Sequence, residues 1–131
     1  MNSPSVDIKD MIEGIVDLSL TYGVNLFIGL EPPEPSNCVT VFDTPGFPDD
    51  LTFDKDEKYE RPSVQILVRN KIYASAWAMI RDIKDFLHGY GHITMNGAYY
   101  SVKMSAGAPA MLDHDERGRV HFVWNIDMQR R

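Results

Sequence analysis

Residues 61–87 read RPSVQILVRNKIYASAWAMIRDIKDFL, and two periods meet inside them. Val64, Ile66 and Val68 fall on one face of an extended segment. Gln65 and Arg69 fall on the other, with Leu67 between them. Alternation with β-branched residues predicts a half-buried strand. After a short turn the period changes. Ala76, Met79, Ile80, Ile83 and Leu87 recur at helical spacing, with Arg81, Asp82, Lys84 and Asp85 mostly on the opposite side. A strand with one apolar face, followed by a helix with one apolar stripe, is a two-layer core in miniature. The remaining elements add strands and a second helix to it.

Upstream, Ser3-Pro4 opens a helix, because proline suits the first helical position. Ile8, Met11, Ile12, Ile15, Leu18 and Tyr22 continue it on one face, with Gly23 as its stop. Gly14 inside that pattern costs about 1 kcal/mol relative to alanine. Residues 25–29 read as a short strand, Glu31-Pro-Pro-Glu-Pro35 as a rigid extended joint, and Cys38 to Phe42 as a strand. Asp43-Thr-Pro-Gly-Phe-Pro48 has the composition of a turn. Asp49 to Glu60 holds six acids and two lysines and reads as a loop or edge excursion.

Downstream, Gly89-Tyr90-Gly91 ends the central helix. His92 to Met95 and Ala98 to Met104 form a hairpin through Asn96-Gly97, since both turn residues accept positive φ. Ser105 to Pro109 is a loop. Ala110 to His114 then pairs through Asp115-Glu-Arg-Gly118 with Arg119 to Met128, where Val120, Phe122, Trp124, Ile126 and Met128 alternate with His121, Val123, Asn125 and Asp127. The expected fold class is α+β: a mainly antiparallel sheet packed against two helices, in a single domain spanning residues 1–131.

Composition narrows the function classes. The 131 residues carry a formal charge of −6, which disfavours electrostatic binding of duplex DNA. The polar start MNSPSVDIKD has no leader pattern, no stretch is apolar enough for a membrane span, and synthesis in a reducing cytoplasm is expected. The lone Cys38, in an apolar run, is expected to be a buried thiol.

Candidate chemistry is sparse. Asp43-Thr-Pro-Gly46 has the form DxxG, but no GxxxxGK accompanies it. His114 beside Asp113, Asp115 and Glu116 could attract a metal; solvated turn residues explain the group more simply. His121 is expected to point outward. Ser63, Ser75, Ser101 and Ser105 lie in no nucleophile motif. Trp77, Trp124, Tyr99 and Tyr100 fit a core or a subunit interface better than a base-stacking platform, because basic neighbours are missing. The reading therefore assigns no catalytic residue, no cofactor and no metal.

The run NLFIGLEPPEPSNCVTVFDTPGFPDDLTFD, followed by YERPSVQILVRN and YASAWAMIRDIKDFLHG, resembles the small minor capsid or tail terminator proteins of long-tailed phages. The telling pieces are EPPEPSNCVTVFDTPG (31–46) and ERPSVQILVRN (60–70), and the resemblance covers roughly Ile8 to Met128. The element order is similar to that of lambda-type tail terminators. That resemblance implies a sheet on two helices, and assembly as a six-membered ring that ends tail-tube growth and joins tail to head. The implied partners are other copies of the chain, the tail tube protein and a head–tail connector or stopper, within a virion tail or neck. DNA would pass through the lumen without sequence-specific binding, helped by an acidic lining. A head-completion or stopper protein, a small enzyme using His114, and a monomeric binding module are the alternatives. Asp49, Asp50, Leu51, Phe53, Asp54, Asp56, Glu57 and Tyr59 are the candidate interface residues, since Leu51 and Phe53 are apolar in an otherwise acidic loop.

Overall fold

The computed structural model describes residues 2–51, 58–88, 93–103 and 108–131. The order is α1 (Pro4–Glu13), a 3-10 turn (Val16–Leu18), β1 (Leu26–Ile28), β2 (Cys38–Leu51), β3 (Lys58–Asn70), α2 (Tyr73–Leu87), β4 (Ile93–Met95), β5 (Ala98–Lys103), β6 (Ala110–His114) and β7 (Val120–Arg130). The strand order is β1-β2-β3-β7-β5-β4, with β6 paired to β7 beside β5. The fold is α+β, as expected.

Its centre is the ladder of β2, β3 and β7. Ile66 stands opposite Val41 on one side and Trp124 on the other; Val68 stands likewise between Val39 and Phe122. Cross-strand partners share a face, and these side chains are all buried. α2 covers them with Ala76, Ile80, Ile83 and Leu87, and α1 adds Ile8, Met11 and Ile12 to the same core. Trp124 and Phe122 face this core, as the alternation of the last strand predicts.

The sheet is mainly antiparallel, as expected, with one parallel pair, because β1 runs parallel to β2; three other expectations are corrected. A parallel neighbour requires the connection to return along the strand, and residues 29–37 do so across the face away from the helices. Residues 43–48 are not a turn; they lie within β2. The register with β3 jumps between Thr44 and Phe47, and again between Phe47 and Asp50, so Pro45 and Pro48 fall where the ladder is interrupted. A residue without an N–H is tolerated there. α1 ends at Glu13 with Gly14 as its cap, nine residues before Gly23. A methyl at Gly14 would meet only ordinary contacts, at 3.4 Å and beyond, so nothing packs closely there. Gly23, with φ +84°, belongs instead to the turn that leads into β1. His121 does lie on the far face, but it is covered rather than solvated.

Several expected features appear as read. Asn96 and Gly97 both have positive φ in the β4–β5 turn, and Gly118 does so in the β6–β7 turn. Cys38 is a buried thiol, which burial pushes above its usual pKa. The expected helix stop at Gly89-Tyr90-Gly91, the strand positions His92 and Met104, and the loop start Ser105 to Gly107 lie outside the described residues.

Two polar contacts fix α1 on the sheet. Ser3 makes no side-chain cap; Asp43 of β2 takes that part, accepting from the Ser5 backbone N–H (3.0 Å) and hydroxyl (2.8 Å). A carboxylate at a helix N-terminus satisfies free N–H groups and favours the helix dipole. The DxxG aspartate is thus a cap from another element. One turn on, the fully buried Asp7 accepts from Tyr100 and, at 2.7 Å, from Asn96. Arg130 donates to the Tyr100 oxygen (3.0 Å), to the Asn2 carbonyl (2.9 Å) and to Glu60 (2.6 Å). Burial and the bond to Asp7 push the Tyr100 phenol well above its ordinary pKa.

Three stability predictions follow from these contacts. Trp124→Ala removes a large core side chain and should destabilise by about 3–5 kcal/mol in denaturant melts. Tyr100→Phe leaves Asp7 buried without its hydroxyl donor and should cost about 1–3 kcal/mol. A Cβ at Gly46 would lie 2.1 Å from the Arg61 carbonyl oxygen, so Gly46→Ala must push the two strands apart. About 1–3 kcal/mol is the expected cost, the usual range for overpacking, and a Gly14→Ala control should be close to neutral.

Candidate assembly surfaces

The groups that sequence offers for chemistry are mostly engaged in structural contacts. Asp115 accepts the backbone N–H groups of Arg117 and Arg119 and the Arg119 side chain at 2.6 Å. Burial pushes its pKa up, but these hydrogen bonds outweigh that and bring it to about 2. Asp113 turns to His121, and His114 is exposed at the end of β6. Among the described residues no three His, Cys, Asp or Glu side chains converge as metal ligands. Ser63 is buried and bonded to Asp127. Trp124 and Tyr100 are core, whereas Trp77 and Tyr99 are partly exposed. No described helix is long and apolar enough to cross a membrane.

The most built feature is the far face of the sheet, where the Pro-rich connection lies as a strap. Arg69 projects from β3 into it. Its guanidinium donates to Glu31 (2.9 Å) and to the carbonyls of Pro32 (2.6 Å), Pro35 (2.6 Å) and Ser36 (3.2 Å). From the turn just before β7, Arg119 donates to the Pro33 carbonyl at 2.6 Å, and Arg117 pairs with Glu34 at 2.6 Å. His121 bridges Glu31 (3.0 Å) and Asp113 of β6 (2.6 Å). Carboxylates only accept, so both contacts are hydrogen bonds when the ring carries both protons. The strap is thereby tied to β3, β7 and the β6–β7 hairpin, with Glu34–Pro35 as a cis peptide. Sequence reading missed this clamp. Its signal was Arg69 near the end of an apolar strand and Arg119 just before another, in a chain with a proline run to receive them.

The predicted interface residues divide. Asp49, Asp50 and Leu51 form the end of β2, and Tyr59 lies near the start of β3. Asp50 is in register with Tyr59, and Leu51 with Lys58. Phe53, Asp54, Asp56 and Glu57 lie outside the described residues. The described ends of the acidic stretch, residues 49–51 and 58–60, are thus paired strands that continue β2 and β3. β7 follows β3 as far as Glu60, opposite Arg130. Beside these strands an open hollow is lined by Gly46, Phe47, Pro48, Glu60, Arg61 and Pro62, with Phe47 exposed.

Comparison with known proteins agrees with this architecture. A family model described as bacteriophage tail terminator protein matches residues 7–131. Among solved structures, a chain of the virion of a native gene transfer agent particle superposes with a TM-score of 0.65. That match covers 98% of this chain and 93% of the other at 13% identity, which is a likeness of fold. Comparison with curated protein sequences gives no match. With the family match running over nearly the whole chain, this protein belongs to the bacteriophage tail terminator proteins, structural components of the virion tail.

Proposed function

We propose that the chain closes the head-proximal end of a phage tail tube as a ring of identical copies, six by its resemblance to lambda-type terminators. There it ends tube growth and joins the tail to the head. One side of the ring meets the tail tube protein, and the other meets a head–tail connector or stopper. DNA passes through the lumen without sequence-specific contacts, and the chain is made in the host cytoplasm before assembly. The observation that carries this reading is the family match over residues 7–131. The acidic composition is consistent with a lumen that repels phosphates. The role is one of contact rather than catalysis.

The far end of the β2–β3 hairpin is the contact we assign to a neighbour, through Asp49, Asp50, Leu51, Phe53, Asp54, Asp56, Glu57 and Tyr59. Five acids close together cannot bury enough apolar surface to form a core of their own, whereas Leu51, Phe53 and Tyr59 gain by being covered.

Replacing residues 52–57 by Asn-Gly tests the assignment, since a two-residue turn can close Leu51 onto Lys58. The melting temperature should stay nearly unchanged, because shortening a surface loop alters closure entropy little. Phage carrying the change should accumulate unjoined heads and tails. Full infectivity would remove the hairpin end from the interface. A virion reconstruction with the chain away from the tail axis, or in single copy, would overturn the ring.

A further inference from the structure

β6 pairs with β7 on one side, and its other edge has no strand partner among the described residues. All five of its residues are exposed. An open edge with apolar side chains is a template for association, and proteins normally blunt or cover it. The other margins of this sheet are blunted. β1 and β4 have three residues each, and β2 carries Pro45 and Pro48 beyond the stretch that pairs with β1. β6 instead carries Met111 and Leu112, 45% and 60% exposed.

Met111 is in register with Phe122, so the two side chains share the helix-covered face. Tyr73 and Trp77 of α2 close on the same Phe122, with ring centroids 5.2 and 5.8 Å away, while staying partly open to solvent. The result is an apolar patch of Tyr73, Trp77 and Met111 floored by Phe122, continuous with an unpaired strand edge. Such a patch marks a surface that something covers.

The same chain carries a second apolar set. Tyr22 and Val24 lie just before β1, and Leu30 just after it, each more than half exposed. β1 ends the sheet on the side opposite β7 and β6. Two unlike apolar margins at opposite ends of one open sheet are what head-to-tail association of identical chains requires; a two-fold contact would use one patch twice. We infer that the β6–α2 patch of one copy seats against the β1 margin of the next copy. The inference rests on the ring reading above and names the surfaces that would build it.

Two single substitutions in the full chain test it, Met111→Cys and Val24→Cys, both at exposed positions. Each variant, and an equal mixture of the two, is treated with a short bis-maleimide, and the native chain is the control because its Cys38 is buried. The mixture should give a crosslinked dimer, and neither variant alone should. Adding Leu112→Asp to the Met111→Cys chain should abolish the crosslink without shifting the melting temperature. A dimer from Met111→Cys alone would make the patch a two-fold contact and overturn the inference. An uncrosslinked mixture would overturn it as well. Mass measurement on the same samples separates this inference from the ring. A closed oligomer that fails to crosslink in the mixture leaves the ring standing and removes these surfaces. A mixed crosslink with only open-ended species growing with concentration keeps the surfaces and removes the ring.

Discussion

A guanidinium out of water must have acceptors, and Arg69 decides where the chain goes. It is 2% exposed and donates to Glu31 and to three carbonyls of the proline-rich connection. Prolines give that connection no N–H with which to join a ladder, so its carbonyls need donors from elsewhere. Arg69 and Arg119 supply them. Leaving a buried charge with no partner costs about 3–5 kcal/mol. That penalty holds the strap across the sheet and so permits β1 to lie parallel to β2. The clamp thus acts together with the β1–β2 pairing and the fully buried Leu26 to keep the outer strand in place.

The same division of faces shapes the rest of the molecule. Helices take one side of the sheet, and the strap takes part of the other. The hairpin of β2 and β3 runs on from the core ladder. Its bulges fall where proline and glycine occur, so the arms stay paired while the ladder is repeatedly reset. Close approach at Gly46 is part of that geometry. Beside it lies an open hollow lined by Phe47, Pro48, Glu60 and Arg61, which suits a subunit whose work is contact with neighbours.

How much was legible follows from how local each signal is. β3, α2 and β7 were read from alternation and helical spacing because their burial is set by one face apiece. The Asn96-Gly97 and Asp115–Gly118 turns were readable because positive φ selects its residues. Beyond Phe42 the sequence misleads about β2, since Pro-Gly chemistry ordinarily marks chain reversal. Here it serves bulges, and only the partner strand reveals the difference. The early stop of α1 was hidden because Ile15, Leu18 and Tyr22 keep helical spacing after the helix has ended. The partners of Arg69, Asp7 and Asp43 lie far along the chain, and no pattern in one sequence states such pairings. The apolar patch around Phe122 is only partly visible in the sequence: Trp77 stands out as an aromatic suited to an interface, but Tyr73 and Met111 join it only through helix packing and strand register.

β7 comes after β3, β5 and β6 in the chain, yet it is the strand all three share. Its partners are therefore made before the strand that unites them. Until β7 arrives, Val64, Ile66 and Val68 have a neighbour on one side only, and the second half of the sheet has nothing to hold it to the first. Pairings over such separations must be closed against chain entropy before they yield any stabilisation, so the topology favours slow, late and cooperative folding. A chain interrupted before residue 120 would keep both helices and most strands and still fail to consolidate, leaving its apolar faces open to association of the wrong kind.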